Sequence, residues 1–319
     1  MKNFWKYFLF FIFYFLFIIS SLSGKGEFIL NIRTDLAIES IEMAGEILPP
    51  GVTSHNDNKE GVEINTVVID NAKGAEALGK PEGNYLTFTV EPLRNVHDNF
   101  EGEVSVISEK LSALLPENGL VLVIGLGNSD ITPDALGPFS ARKILATRHI
   151  AEHLQGLEGL SELRHVAAIS PGVLGQTGIE TAEIIHSVVD KITPTAVIAI
   201  DALASKNIDR LGCTIQISDT GISPGGGVQN KRKALNKDTL GIPVIAVGVP
   251  TVVDMSTIAY DMFGGDDVNP EILEKGKNFM VTPREIDTIT EQAANLVSAS
   301  INQALQPSLT MEEIAGLTA

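Results

Sequence analysis

Residues 120–138 read LVLVIGLGNSDITPDALGP. The opening half, Leu120 to Leu126, is a short apolar run that ends in glycine, which suits a buried parallel strand. Leu136 to Leu154 then takes helical spacing. The same order of strand, loop and helix recurs downstream. His165 to Ile169 reads as a second strand before the turn Ser170-Pro171-Gly172, and Ile179 to Ile192 as an amphipathic helix. Ala196 to Ile200 is a third buried strand that ends at Asp201, Thr214 to Ser218 a fourth, and Pro243 to Val249 another. A long helix over Pro283 to Ala304 closes the pattern, with Thr282 as its cap and Glu285 three residues on. Strands alternating with helices predict an α/β fold: a mainly parallel sheet covered by helices on both faces. In such sheets chemistry collects at the carboxyl ends of the strands.

Upstream the signal is mixed. Ile32 to Met43 and Val104 to Leu115 have helical spacing, Val62 to Val68 and Tyr85 to Val90 alternate as strands, and the polar stretch Gly51 to Glu60 reads as a loop. The chain has 319 residues, 44% hydrophobic and 20% charged, enough for one large α/β domain or two small ones. Its net charge of −17 repels phosphate and argues against direct nucleic-acid binding. The single cysteine, Cys213, makes no intrachain disulfide and reads as a small buried core residue. The first 30 residues differ from the rest. Tyr7 to Ile19 is apolar or aromatic throughout, preceded by Lys2 and Lys6. Three readings stand for this segment: an export signal, a membrane tether through residues 4–22, or codons upstream of the true start.

The loop after the first strand is not a dinucleotide fingerprint. G-x-G-x-x-G needs a third glycine, where this chain has Asp130, and Pro133 follows. Asp134 has an ordinary explanation as the cap of the helix beginning near Leu136. Asp201 gives it a second one. Carboxylates on neighbouring strand ends can approach closely, which leaves one acid and one base together, as hydrolysis by activated water requires. The glycine-rich stretch 170–178, which contains Gly175, and Gly225-Gly226-Gly227 offer close backbone approach to a peptide. The basic run that includes Arg232 can hold an acidic substrate or simply be solvated. His149-Ile150-Ala151-Glu152-His153 fits a zinc-protease pattern, but no third ligand can be assigned. No G-x-S-x-G occurs.

Several long motifs, in order, resemble the germination proteases. They are Arg33-Thr34-Asp35-Leu36-Ala37, GLGNSDITPDALGP at 125–138, SPGVLGQTGIET at 170–181, AIDALAS at 199–205, the stretch 216–254 and VTPREID at 281–287. The resemblance runs from about residue 31 to 290. It implies a cytoplasmic endopeptidase of the forespore and spore core, made as a zymogen and assembled as a homotetramer. Its partners would be the small acid-soluble spore proteins it degrades on germination. It also implies a fold similar to hydrogenase maturation proteases (phosphorylase/hydrolase-like). The family's aspartate pair matches Asp134 and Asp201, with no cofactor. The maturation proteases bind nickel through the equivalent acids and a histidine, and residues 216–230 hold no histidine, so a metal-free aspartate mechanism is favoured. Asn128, Asp219 or the amides of 172–178 are the candidates to stabilise an oxyanion.

Alignment on Arg33-Thr34-Asp35 puts maturation near Leu30-Asn31, which divides the chain into an apolar segment or propeptide, 1–30, and a single protease domain, 31–319. The family's propeptide is short and not a membrane segment, and the chain, ending at Ala319, is shorter than the resemblance implies, with a reduced C-terminal part of the fold expected. A metal-dependent maturation-type protease and a non-catalytic peptide-binding protein are the alternatives.

Overall fold

The computed structural model describes residues 34–95, 98–153, 163–223, 234–262 and 269–318. The strands are β1 (Val52–Lys59), β2 (Val62–Ile69), β3 (Gly83–Thr89), β4 (Val121–Gly125), β5 (Val166–Ile169), β6 (Ala196–Ser205), β7 (Thr214–Ser218), β8 (Val244–Asp254) and β9 (Met280–Val281). They form one sheet in the order β1-β2-β3-β7-β8-β6-β4-β5, with β9 against β8.

The apolar runs of the second half become adjacent parallel strands because both sheet faces are covered. Val121 and Val123 of β4 pack into a core with Leu136 and the helix Ile286–Leu305, while Leu122 and Ile124 pack on the other face against Ile185 and Val189 of the helix Thr181–Ile192. Alternation with period two therefore buries every residue of β4. β4 pairs parallel with β5 and β6, and β6 parallel with β8.

The expected parallel sheet is this half of the structure. The other half is antiparallel: β7 against β8 and β3, then β3, β2 and β1 in turn. The β1–β2 hairpin explains why. Glu60 and Gly61 both take left-handed backbone, φ 53° and 84°, which closes a two-residue turn between antiparallel neighbours. Gly51 to Glu60, read as a loop, is thus mostly strand β1. As an edge strand it is held by backbone pairing to β2 with nearly all its side chains exposed, so it shows no apolar alternation.

Other expectations shift for local reasons. The helix expected over Leu136 to Leu154 breaks into Leu136–Arg142 and Arg148–His153. Asn302 takes up the backbone groups freed at the break, accepting from the Leu145 N–H at 2.9 Å and donating to the Lys143 carbonyl at 2.9 Å. Thr282 does not cap the closing helix, which starts at Ile286 after Glu285 without a side-chain cap. Its hydroxyl donates instead to the Thr251 carbonyl at 3.0 Å, tying the helix approach to β8. Cys213 is half-buried rather than in the core; its Sγ lies 3.0 Å from the Asp209 carbonyl, and burial pushes the thiol pKa up.

Residues 1–30 and the Leu30-Asn31 bond lie outside the described residues. Among the described residues no helix is long and apolar enough to cross a membrane.

Candidate active site

Asp134 is positioned from three sides. After β4 the chain passes Gly127, left-handed at φ 113°, where a Cβ would overlap the Asp134 carbonyl oxygen. The Asn128 N–H then donates to Asp134 Oδ2 at 2.8 Å, and the Asp134 N–H donates to the Ile131 carbonyl at 2.8 Å. A single 3₁₀ turn over Thr132–Asp134 carries the aspartate. Thr251 of β8 donates to the Pro133 carbonyl at 2.7 Å, and Thr290 of the closing helix to the Thr132 carbonyl at 3.2 Å. The next helix starts after Ala135 with no side-chain cap, so the capping role open to Asp134 from sequence is not the one it takes.

Asp201 arrives from the neighbouring strand. β6 does not end there but runs on to Ser205, pairing Asp201 with Gly248 of β8. β4 stops one step earlier, at the pair Gly125–Ile200, and the Leu126 N–H donates to the Ile200 carbonyl at 2.8 Å as the chain leaves the sheet. Asp201 therefore sits buried, 7% exposed, at the step where β4 falls away. Its Oδ1 accepts from the Ala202 N–H at 3.0 Å.

Both aspartates line one cleft of about 890 Å³, together with Asn128. Gln176 fixes Asn128 from above, donating to Asn128 Oδ1 at 2.6 Å and Asp130 Oδ2 at 3.0 Å. The other sequence candidates lie elsewhere. Asp219 does not line the cleft: its Oδ1 accepts from the Asn84 N–H at 2.8 Å and its Oδ2 from Asn84 Nδ2 at 2.6 Å, so it pins β3 beside β7. Gly175 is exposed, and a Cβ there would meet nothing within 4 Å, so close backbone approach within the fold does not require glycine. Arg232 lies outside the described residues. His149 is exposed and away from the cleft, and the Glu152 and His153 side chains are outside the described set. Among the described residues no three His, Cys, Asp or Glu side chains gather as a metal-binding group.

A second wall of this cleft, to which no candidate site residue pointed, is built from the N-terminal half. Asp35 docks on the end of β6: its N–H donates to the Ala204 carbonyl at 2.9 Å, and its Oδ2 accepts from the Ala204 N–H at 2.7 Å. Gln216 clamps the same strap, accepting from the Ala37 N–H at 2.7 Å and donating to the Asp35 carbonyl at 3.0 Å. Behind it the fully buried Glu39 accepts from Ser205 Oγ, the Lys206 N–H and the Asn207 N–H, and Arg210 lies 3.4 Å away. Tyr85 and Lys80 complete the wall. Burial pushes the Tyr85 phenol up to about 12, and burial lowers the Lys80 ammonium although Asp35 and Glu39 act the other way.

This arrangement puts the chain among α/β proteins whose cleft opens where the strand order changes direction. The family model for germination protease matches residues 38–264. A germination protease of Caldanaerobacter subterraneus subsp. tengcongensis is 44% identical over 90% of this chain and 98% of its own length. One from Clostridium tetani is 41% identical over 89% and 98%, and one from Bacillus cereus 38% identical over 90% and 97%. A solved NiFe hydrogenase maturation protease of Thermococcus kodakarensis is similar over 60% of this chain and 98% of its own, at 16% identity and a TM-score of 0.34. The chain belongs to the germination protease family and is a peptidase.

Proposed function

We propose that this peptidase is the endopeptidase that begins degradation of small acid-soluble spore proteins at germination, with Asp134 and Asp201 activating water. One observation carries the reading: the two aspartates reach a single cleft from adjacent strands. In the reaction the ionised member takes a proton from water as the oxygen attacks the peptide carbonyl. The protonated member donates to the carbonyl oxygen, and the tetrahedral species then collapses with proton delivery to the leaving amine. The acid and base roles are assigned to the two aspartates together and to neither singly. Asn128, whose backbone N–H donates to Asp134 Oδ2, lines the same cleft, and its side-chain amide is a candidate donor to a developing oxyanion.

The zymogen reading belongs to the same proposal: processing near Leu30-Asn31 releases residues 1–30 and leaves Asp35 docked beside the cleft. So do a spore-core location and a homotetramer. The test is cleavage of a small acid-soluble spore protein by the full chain, read by intact mass, with Asp134→Asn and Asp201→Asn alongside. Cutting at a few defined bonds is expected from the parent, with a loss of at least about 100-fold in each variant at unchanged thermal midpoint. Near-parental cutting by either folded variant would sink the aspartate mechanism.

A further inference from the structure

The cleft carries three carboxylates, Asp35, Asp134 and Asp201, and among its described residues one cation, Lys80. In a chain of net charge −17 that lysine is not part of a generally basic surface. Its base is rigid. The helix Ala72–Leu78 stops at Gly79, left-handed at φ 63°, and the N–H groups of Gly79 and Lys80 both donate to the Ala75 carbonyl. Pro81 follows, and the Tyr85 hydroxyl donates to the Pro81 carbonyl at 2.8 Å.

The ammonium group at the end of this fixed stem has three donors. One goes to the Thr34 carbonyl at 3.2 Å. None of the ion pairs among the described residues includes Lys80. The nearest acids are engaged with other groups, Asp35 with the Ala204 N–H and Glu39 with Ser205 and the amides of Lys206 and Asn207. The lowered Lys80 pKa has the same origin: burial outweighs the attraction of Asp35 and Glu39. A neutral peptide would leave this charge as it is. An acidic side chain would supply the missing partner, and without Lys80 the ionised acids of the cleft would disfavour it.

We propose that Lys80 is a specificity-determining residue whose ammonium receives the side-chain carboxylate of an acidic residue in the bound peptide. The inference rests on the peptidase reading above. It is tested with acetylated, amidated peptides that differ only in Glu or Gln at one position, scanned across the cleaved bond and cut by the full chain. At one position Glu should be preferred roughly 10- to 100-fold in kcat/KM, the value of one charge-assisted hydrogen bond. Lys80→Met should bring that ratio to within about 3-fold, mainly through KM, while Lys80→Arg keeps most of it. Binding of the same peptides to the Asp201→Asn chain, read by fluorescence anisotropy, should show the same preference and the same loss in the double variant. A merely structural Lys80 would move the thermal midpoint and leave the ratio alone. A folded Lys80→Met that keeps the preference overturns the proposal, as does equal binding, or none, of the Glu and Gln peptides. A preference that appears only with free C-terminal acids also overturns it, in favour of recognition of the chain end. If Asp201→Asn still cuts, the aspartate mechanism falls while the Lys80 ratio can still be read.

Discussion

Gly137→Ala is the sharpest structural test of how the aspartates are held. A Cβ at Gly137 would overlap the Leu126 amide and carbonyl and lie 2.6 Å from the Ile200 carbonyl. All of these are backbone atoms, so no side chain can swing away. They also include both ends of the Leu126–Ile200 hydrogen bond that joins β4 to β6 immediately before Asp201. Overpacking costs about 1–3 kcal/mol and loss of that bond about 1 kcal/mol, offset by up to about 1 kcal/mol from replacing a helical glycine. The net destabilisation is about 1–3 kcal/mol, a drop of roughly 3–10 °C in thermal midpoint. Activity should fall by more than that loss of folded protein explains, about 10-fold or more, because both arms of the site move. Gly175→Ala is the matched control. It is also helical, but its Cβ meets nothing within 4 Å, so it should be neutral or stabilising by up to about 1 kcal/mol. Circular dichroism melts and peptide cleavage on both variants decide the matter. A Gly137→Ala protein with parental midpoint and parental activity would refute this account of the strand–helix approach.

Asp219→Ala should cost stability and spare chemistry. It strips both partners from Asn84, about 1–3 kcal/mol in urea unfolding, with kcat/KM of the folded fraction within about 3-fold of parent. The reverse pattern, lost activity at parental stability, would return Asp219 to the site. Tyr85 predicts an alkaline limb. Its folded pKa, about 12 against 10.0, is raised, so the folded state holds the proton more tightly than the unfolded chain. Its stabilisation is complete below pH 10 and fades as pH rises from 10 towards 12, by roughly 2 kcal/mol. Denaturant unfolding at pH 9 and 11.5 should show a smaller loss in Tyr85→Phe than in the parent; equal losses would contradict it.

Residues 120–126 and 196–200 announced their strands because burial on both faces leaves an unbroken apolar run, which needs no knowledge of neighbours. That Asp134 and Asp201 both arrive at the cleft was legible for the same reason, each lying after such a run. Strand β1 was not, since its pairing is made by backbone and its polar side chains report only exposure. The Leu136–Leu154 break was hidden because its periodicity stays helical while the backbone is satisfied by Asn302, more than 150 residues away. Asp219 misled because a carboxylate after a strand looks alike whether it faces a cleft or a neighbouring amide. Lys80 and the Asp35 strap carried no chemical signal of their own: a lysine after Leu78-Gly79 reads only as a helix stop, and its place in the cleft depends on sheet order.

That sheet order also accounts for where the cleft lies. After β4 the chain moves outward to β5, and after β5 it returns across β4 to reach β6 on the other side. The segments after β4 and β5 accordingly fall on opposite faces, with Leu136 in one core and Ile185 in the other. Where they diverge, the carboxyl edge between β4 and β6 is left uncovered, and Asp134 and Asp201 flank that gap. In a wholly parallel sheet the far wall would be another loop after a strand. Here β7 runs antiparallel to β8, so the hairpin layer brings Lys80, Tyr85 and the Asp35 strap to the same edge. The parallel half thus supplies the two acids, and the antiparallel half supplies Lys80, the one cation among the described residues of the cleft.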